Sequence, residues 1–241
     1  EVTHEHPLLK RTEGGNHVWE RADHLRAGDY VAIQMGQQLF GSEEILPDNC
    51  VPTMPGNTDE TGEAVDPSED FPFFLGLLSG ERWSHVDNRI TVPIADRLSK
   101  NRVKRLMPRI GLRAQFSGTK VSFSSAEFCQ LFPSFDCLNC EDSNKSVPDP
   151  ILNASRRIVC AFLLGIFHTS GWQQRADGSM IFRSPSKMLT EQLQIVLLNL
   201  GIITHRDLSW SSAEEVLFPR LYIGKTQARL FADCLNSRLD Q

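Results

Sequence analysis

The feature that most constrains this chain is an apolar element that occurs twice. "FPFFLGLLSGERW" runs from Phe71 to Trp83, and "VCAFLLGIFHTSGW" from Val159 to Trp172. Each is an apolar run with a glycine inside it, then small or polar residues, then a tryptophan. Neither run approaches the roughly 18 to 20 residues that cross a bilayer, so both read as buried helices of a globular fold. A glycine inside a helix costs about 1 kcal/mol relative to alanine. That cost is tolerable where two helix backbones approach closely, because the missing side chain permits the contact. Gly76, Ser79 and Gly80 in the first copy, and Gly165, Thr169 and Ser170 in the second, are the small residues available for such a contact. Packed together, the two helices would bring their C-terminal ends side by side.

The repeat continues beyond the helices. Trp83 and Trp172 stand 89 positions apart, and "RIGL" at Arg109 to Leu112 answers "NLGI" at Asn199 to Ile202. "TKVSFSSAEFCQLF" and "RLYIGKTQARLFADCL" then close the two copies alike, with a strand, a turn, and a helix bearing an aromatic on its buried face. Each copy therefore reads as apolar helix, strand hairpin, basic or amphipathic helix, two short strands, closing helix. In the second copy Leu189, Leu193, Val196, Leu197 and Leu200 fall at helical spacing. Gly201 suits the left-handed position just past that helix. A duplication of this kind predicts an α+β domain with a pseudo-twofold axis between its halves.

Outside the repeats the chain changes character. Residues 1–46 read as a small all-β unit: Gly14-Gly15 is a hairpin signal between "HPLLKR" and "HVWERA", and "AGDYVAI" is a turn followed by a strand. Such a unit cannot close a core by itself. Residues 47–70 form an acidic stretch carrying Asp59, Glu60, Glu63, Asp66, Glu69 and Asp70 without apolar periodicity, which reads as a solvated linker. The repeats then occupy 71–143 and 144–241. A basic run, Arg97, Lys100, Arg102, Lys104, Arg105 and Arg109, falls on the helix after the first hairpin and reads as a solvated face.

Composition excludes some classes. A net charge of -5 and a pI near 5.8 argue against indiscriminate nucleic-acid binding and leave a local basic face open. Six cysteines do not make a disulfide framework. Cys137 and Cys140 form half of a zinc signature with no second half, so reduced thiols in an intracellular protein are expected. Glu1 is not an initiator methionine and no signal peptide follows, so the chain is expected to be a piece of a longer cytoplasmic protein without a membrane anchor. With both helices of the pair in one chain, a monomer is expected.

The doubled element resembles the LAGLIDADG motif of homing endonucleases. In that family two such helices pair along a pseudo-twofold axis, saddle-shaped sheets on either side straddle double-stranded DNA, and the last acidic residue of each motif holds divalent metal against the scissile phosphates. The resemblance implies a duplicated αββαββα fold. It places Glu81 of "FLGLLSGER" at the acidic, metal-binding position and Ser170 of "LLGIFHTSG" at its counterpart. Arg82 replaces the motif's final glycine. Magnesium prefers oxygen ligands and a neutral hydroxyl is a poor one, so cleavage is expected to be absent or impaired, with Mg²⁺ required only if it is retained. "NKSVPDPILNASRRIVCAFLLGIF" looks like the lysine-proline segment before the second motif of intein-borne endonucleases, which puts Lys145 at the family's active-centre lysine.

The first segment carries a second resemblance. "VTHEHPLL" followed by "VWERADHLRAGDYV" is similar to the T-x-x-H block of inteins, the self-splicing Hint modules, with Thr3 and His6 at the motif positions. In that family these residues polarise and protonate the peptide bond at the N-terminal splice junction, as an acyl shift requires. An intein begins with a nucleophilic Cys or Ser and ends in His-Asn, whereas this chain opens at Glu1 and closes on "FADCLNSRLDQ". The implied whole is the central portion of an intein, with a partial Hint module and a degenerate endonuclease domain. Its partners would be the missing intein segments, the flanking exteins and double-stranded DNA, and splicing would need no cofactor. An active site-specific nuclease and a DNA-binding or structural module without a metal site are the competing readings.

Overall fold

The computed structural model describes residues 2–42, 67–131, 142–211 and 216–236. The segment before the repeats holds strands β1 (Pro7–Arg11), β2 (His17–Arg21) and β3 (Tyr30–Val31) in an antiparallel sheet of order β2-β1-β3. Gly15, with φ at +82°, turns the β1–β2 hairpin as the Gly-Gly pair predicts. The small sheet stays open to solvent: Trp19 and Tyr30 are 71% and 76% exposed. Among the described residues it therefore has no core of its own.

The first repeat comprises α1 (Pro67–Gly80), β4 (Ser84–Val86), β5 (Arg89–Pro93), α2 (Arg97–Arg109), β6 (Ala114–Ser117), β7 (Lys120–Ser124) and α3 (Ser125–Leu131). After a single turn of helix, α4 (Asp149–Leu152), the second repeat follows. It comprises α5 (Arg156–Phe167), β8 (Trp172–Gln174), β9 (Met180–Arg183), α6 (Lys187–Asn199), β10 (His205–Ser211), β11 (Val216–Ile223) and α7 (Lys225–Asn236). The sheets run β4-β5-β7-β6 and β10-β11-β9-β8, antiparallel throughout. In each, the first hairpin of the repeat lies beside its fourth strand, with the third strand at the edge. The two halves thus share one topology.

Gly201 holds a φ of +86° just past α6, the left-handed position its spacing predicts, and its repeat counterpart Gly111 holds +74° just past α2. Phe128 of α3 and Phe231 of α7 are buried, as the aromatic pattern of the closing helices requires. One apolar cluster joins α1 and α5 to the inner faces of both sheets, through Phe71, Phe74 and Leu78 on one helix and Ile158, Phe162 and Ile166 on the other.

Two expectations change. Helix α1 begins at Pro67, so Glu69 and Asp70 lie in its first turn rather than in an extended linker. A carboxylate is favourable there, where backbone N–H groups lack partners. The basic run on α2 is also not wholly a solvated face. Arg102 turns inward, pairs with Asp70, and sets its guanidinium 4.2 Å from the Phe73 ring centre. The acidic positions 59, 60, 63 and 66, and the pair Cys137 and Cys140, lie outside the described residues.

The β unit is fastened to the second repeat by a short strap. The N–H groups of Gly36 and Gln38 donate to the carbonyls of Leu198 and Asn199 at the end of α6, at 2.8 and 3.2 Å. Leu39 and the Asn199 side-chain amide exchange two further bonds, and Gly41 donates to Ala154 O at 3.0 Å. Gly41 runs so close to Asn153 that a side chain there would overlap its carbonyl oxygen.

Candidate functional site

The site grows from the close approach of α1 and α5. A Cβ on Gly76 would stand 2.1 Å from Phe162 O, and one on Gly165 would stand 2.0 Å from Phe73 O. These contacts are reciprocal: Phe73 pairs with Gly165 as Phe162 pairs with Gly76. That is the signature of a twofold interface, realised here within one chain. One turn further on, Gly80 faces Thr169, whose hydroxyl donates to Ile166 O at 2.6 Å.

At the ends of the two helices the reciprocity stops. Glu81 is buried, 8% exposed, and both of its carboxylate oxygens are engaged by the residue at the matching position. The Ser170 N–H donates to one oxygen at 2.6 Å and the Ser170 hydroxyl to the other at 2.7 Å. A carboxylate beside a helix C-terminus is electrostatically unfavourable, and these two donors offset part of that cost.

Lys145 completes the cluster. It is 2% exposed, and its Nζ donates to the Glu81 backbone carbonyl, pairs with Asp142 at 2.7 Å and lies 5.0 Å from the Trp83 ring centre. Its own carbonyl accepts from the hydroxyl of Ser186, the N-cap of α6, which in turn accepts from Leu189 N. The second repeat thereby positions a cation against the end of the first repeat's helix. The structure brings Glu81, Ser170 and Lys145 together. Asp142 was missed, although its i, i+3 spacing to Lys145 offered a signal.

Thr3 and His6 belong to a different part of the molecule. His6 N–H donates to Thr3 O at 3.0 Å, closing a turn that leads into β1 and leaves both residues exposed.

The strands show a charge segregation that the sequence alone hides. Burial alternates along β5 and β7, with Ile90, Val92, Val121 and Phe123 inward, so Arg89, Thr91, Lys120, Ser122 and Ser124 face away from the helices. Cross-strand register aligns Ser84, Thr91, Ser122 and Gln115 in one uncharged polar row. In the second sheet the outward positions include Gln173, Arg183 and Arg220, with Arg183 donating to Gln173 at 2.8 Å. The eight strands of the two sheets carry five cationic side chains (Arg89, Lys120, Arg183, Arg206 and Arg220) and one carboxylate, Asp207, and Arg206 pairs with Glu191 of α6 at 2.5 Å. Arg220 grips Asp207 at 2.7 and 2.6 Å, and the pairing holds it below the usual carboxylate pKa.

Two sheets flanking a close helix pair, with the acidic position and its counterpart at the helix ends, invite comparison with known folds. Residues 157–235 match the model of the LAGLIDADG-like domain. The solved structure of I-DmoI in complex with DNA and Ca is similar at a TM-score of 0.51 with 14% identity, over 71% of this chain and 91% of that one. A single-residue variant of I-DmoI, in complex with its target DNA in the presence of Mn, gives a TM-score of 0.51 at 15% identity over 72% of this chain and 97% of that one. Full-length DUF199/WhiA from Thermatoga maritima gives 0.50 at 14% identity over 72% of this chain. The match spans 57% of the WhiA chain. No curated protein matches the sequence. At these identities the likeness is one of fold.

The donor set at the two helix ends does not fit a divalent metal. At the two matching helix-end positions one carboxylate is present, both its oxygens accept from Ser170, and the cationic Lys145, which holds the Asp142 carboxylate, stands against the Glu81 carbonyl. Magnesium is held by several oxygen ligands in near-octahedral geometry. Among the described residues no group of three or more His, Cys, Asp or Glu could hold a metal ion, and no helix is long and apolar enough to cross a membrane.

Proposed function

We propose that this chain is the central portion of an intein whose LAGLIDADG-like domain binds double-stranded DNA without cutting it. The observation that carries the loss of cleavage is the pair of hydrogen bonds from Ser170 to Glu81. Ser170 occupies one acceptor position on each oxygen of Glu81, and as a serine it supplies no second carboxylate at the matching position. A helix pair closed by serine and glutamate keeps the fold's geometry and forgoes its electrophile.

Binding is supported by the strand faces. In a chain of net charge -5, the outward strand faces carry Arg89, Lys120 and Arg183 beside the mutually paired Arg220 and Asp207, which puts positive charge on the sheets. Arg89, Lys120 and Arg183 suit phosphate oxygens, while the hydroxyl and amide row suits base edges or bridging water. Splicing is supported by the Thr3–His6 turn. It holds a hydroxyl and an imidazole exposed in the order and spacing of the T-x-x-H block, where the imidazole can pass a proton to a departing amide nitrogen.

The test titrates Mg²⁺ and Mn²⁺ into the chain with a double-stranded DNA library, reading binding and cleavage together. The expected result is salt-sensitive binding without product. Replacing Arg89 by Glu should weaken binding and reduce the salt slope by about 1. Cleavage by the unmodified chain would overturn the reading. In the intein-length protein, His6→Ala should slow N-terminal junction cleavage; unchanged processing would remove the splicing half of the proposal.

A further inference from the structure

The seam between α5 and α7 holds a pair of thiols that neither the helix-end cluster nor the strand faces use. Arg156 and Cys160 stand four residues apart on α5 and so share one face of that helix. Both meet Cys234 of α7. The two sulfur atoms lie 3.9 Å apart, and the Arg156 guanidinium donates to Cys234 Sγ at 3.4 Å. Cys160 is 1% exposed, whereas Cys234 is only partly buried. One turn before Cys234, Phe231 packs on Phe167 at 5.8 Å and on Trp172 at 5.6 Å, fixing the register of the two helices.

We propose that Cys160 and Cys234 form a reversible disulfide, making the α5–α7 seam a thiol modification site that answers a hydroperoxide oxidant. The assignment of roles follows from exposure and charge. A neighbouring guanidinium favours the thiolate, and Cys234 is the sulfur that solvent reaches, so Cys234 is the attacking group. Its sulfur takes the distal oxygen of the peroxide, the O–O bond breaks, and water leaves. The sulfenic acid formed on Cys234 is then attacked by Cys160 Sγ. The S–O bond breaks, and the hydroxyl departs as water with the Cys160 proton. Two thiols have given up two electrons and two protons, and one hydrogen peroxide has become two waters. A dithiol reductant reverses the step by exchange.

The geometry permits the closure. A disulfide requires a sulfur separation of about 2.05 Å, so the sulfurs must approach by about 2 Å. Rotation of the Cys234 side chain with a small slide of α7 can supply that. Closed, the bond would tie the last helix of the fold to a helix of its central pair, across a separation of 74 residues. The chain's other cysteines compete for oxidant, and Cys137 with Cys140 is the pair adjacent in sequence.

The experiment oxidises the whole chain with stoichiometric hydrogen peroxide, blocks remaining thiols, digests with trypsin without reduction, and reads linked peptides by mass spectrometry. The expected product joins residues 158–175 to residues 230–238 and disappears on reduction. The oxidised chain should melt about 5–10 °C higher than the reduced one, and Cys234→Ala should abolish that shift. Arg156→Gln, a change on the exposed side of the pair, should slow alkylation of Cys234 by iodoacetamide several-fold at neutral pH while leaving the reduced chain's melting point in place. Consumption of oxidant with these two peptides unlinked would overturn the proposal. So would a Cys234 alkylation rate that ignores Arg156.

Discussion

The two repeats have the same strand order and the same glycine at their closest approach, yet they part company within five residues of it. Gly76 and Gly165 make mirror contacts with Phe162 and Phe73. At the helix ends Ser79, Gly80, Glu81 and Arg82 stand opposite His168, Thr169, Ser170 and Gly171. The difference teaches where symmetry is enforced. Two backbones in contact admit no side chain on either, so that level cannot drift in one half alone. The ends carry no such restriction. There the halves have become complementary instead of equal: Ser170 supplies the donors that Glu81 lacks. The same division separates the tryptophans. Trp83 donates to Leu78 O at 3.1 Å, while Trp172 stacks on Phe231 and its Nε1 has no acceptor among the described residues.

The most severe way to break the comparison is at the level that remains symmetric. Gly76→Ala and Gly165→Ala should each cost about 3 kcal/mol or more, because the new methyl meets a backbone oxygen that cannot swing aside. The two costs should be similar, and thermal melts of each variant would show it. A large inequality would mean that the helix pair relaxes from one side.

Ser170→Asp comes next. Without divalent cations it sets two carboxylates together and removes a hydroxyl donor, a loss of about 2 kcal/mol. Magnesium should restore the melting point of this variant and leave that of the unmodified chain unchanged. If magnesium stabilised both alike, the serine at position 170 would not be the barrier to metal.

A smaller difference separates the tryptophans. Trp83→Phe should cost about 1 kcal/mol more than Trp172→Phe, since only the first gives up a hydrogen bond. Chemical denaturation of the pair would measure that gap.

The smallest effect is one of pH. Burial pushes the His168 imidazole below its ordinary pKa, with Asp96 opposing and Arg102 reinforcing. The folded chain therefore binds this proton less readily than the unfolded chain. The resulting stability is full above the unfolded pKa and declines as pH falls through the folded one. His168→Ser, which installs the residue found at position 79, should flatten the dependence of the melting point between neutral and mildly acid pH. A slope that survives the change would belong to other groups.

Much of this architecture is readable from the sequence because it rests on periodicity and on glycine. The doubled helix, the left-handed Gly201, and the buried Phe128 and Phe231 all follow from residue type at fixed spacing. The cluster of Glu81, Ser170 and Lys145 follows from motif resemblance, and the folded chain gathers it. What escapes is whatever depends on direction in space. Both Ser170 donors converge on one carboxylate only because two helix ends meet at a particular height. Arg102 looks like one more solvated cation until α1 brings Asp70 to it. The acidic first turn of α1 merges, in sequence, with the acidic stretch before it. The bias of the strands towards positive charge is spread over eight short segments, each too brief to register.

The strap at residues 36–41 binds the small β unit to α6 and to the 153–154 turn that leads into α5, with no comparable hydrogen bonds to the first repeat among the described residues. A body with matching halves can be laid on a matching partner in two equivalent ways. Hanging a module from one half removes that equivalence and gives the particle a heading. Whatever this domain settles upon, its two orientations would place the Thr3–His6 turn at opposite ends, and any neighbour of that turn could tell one from the other.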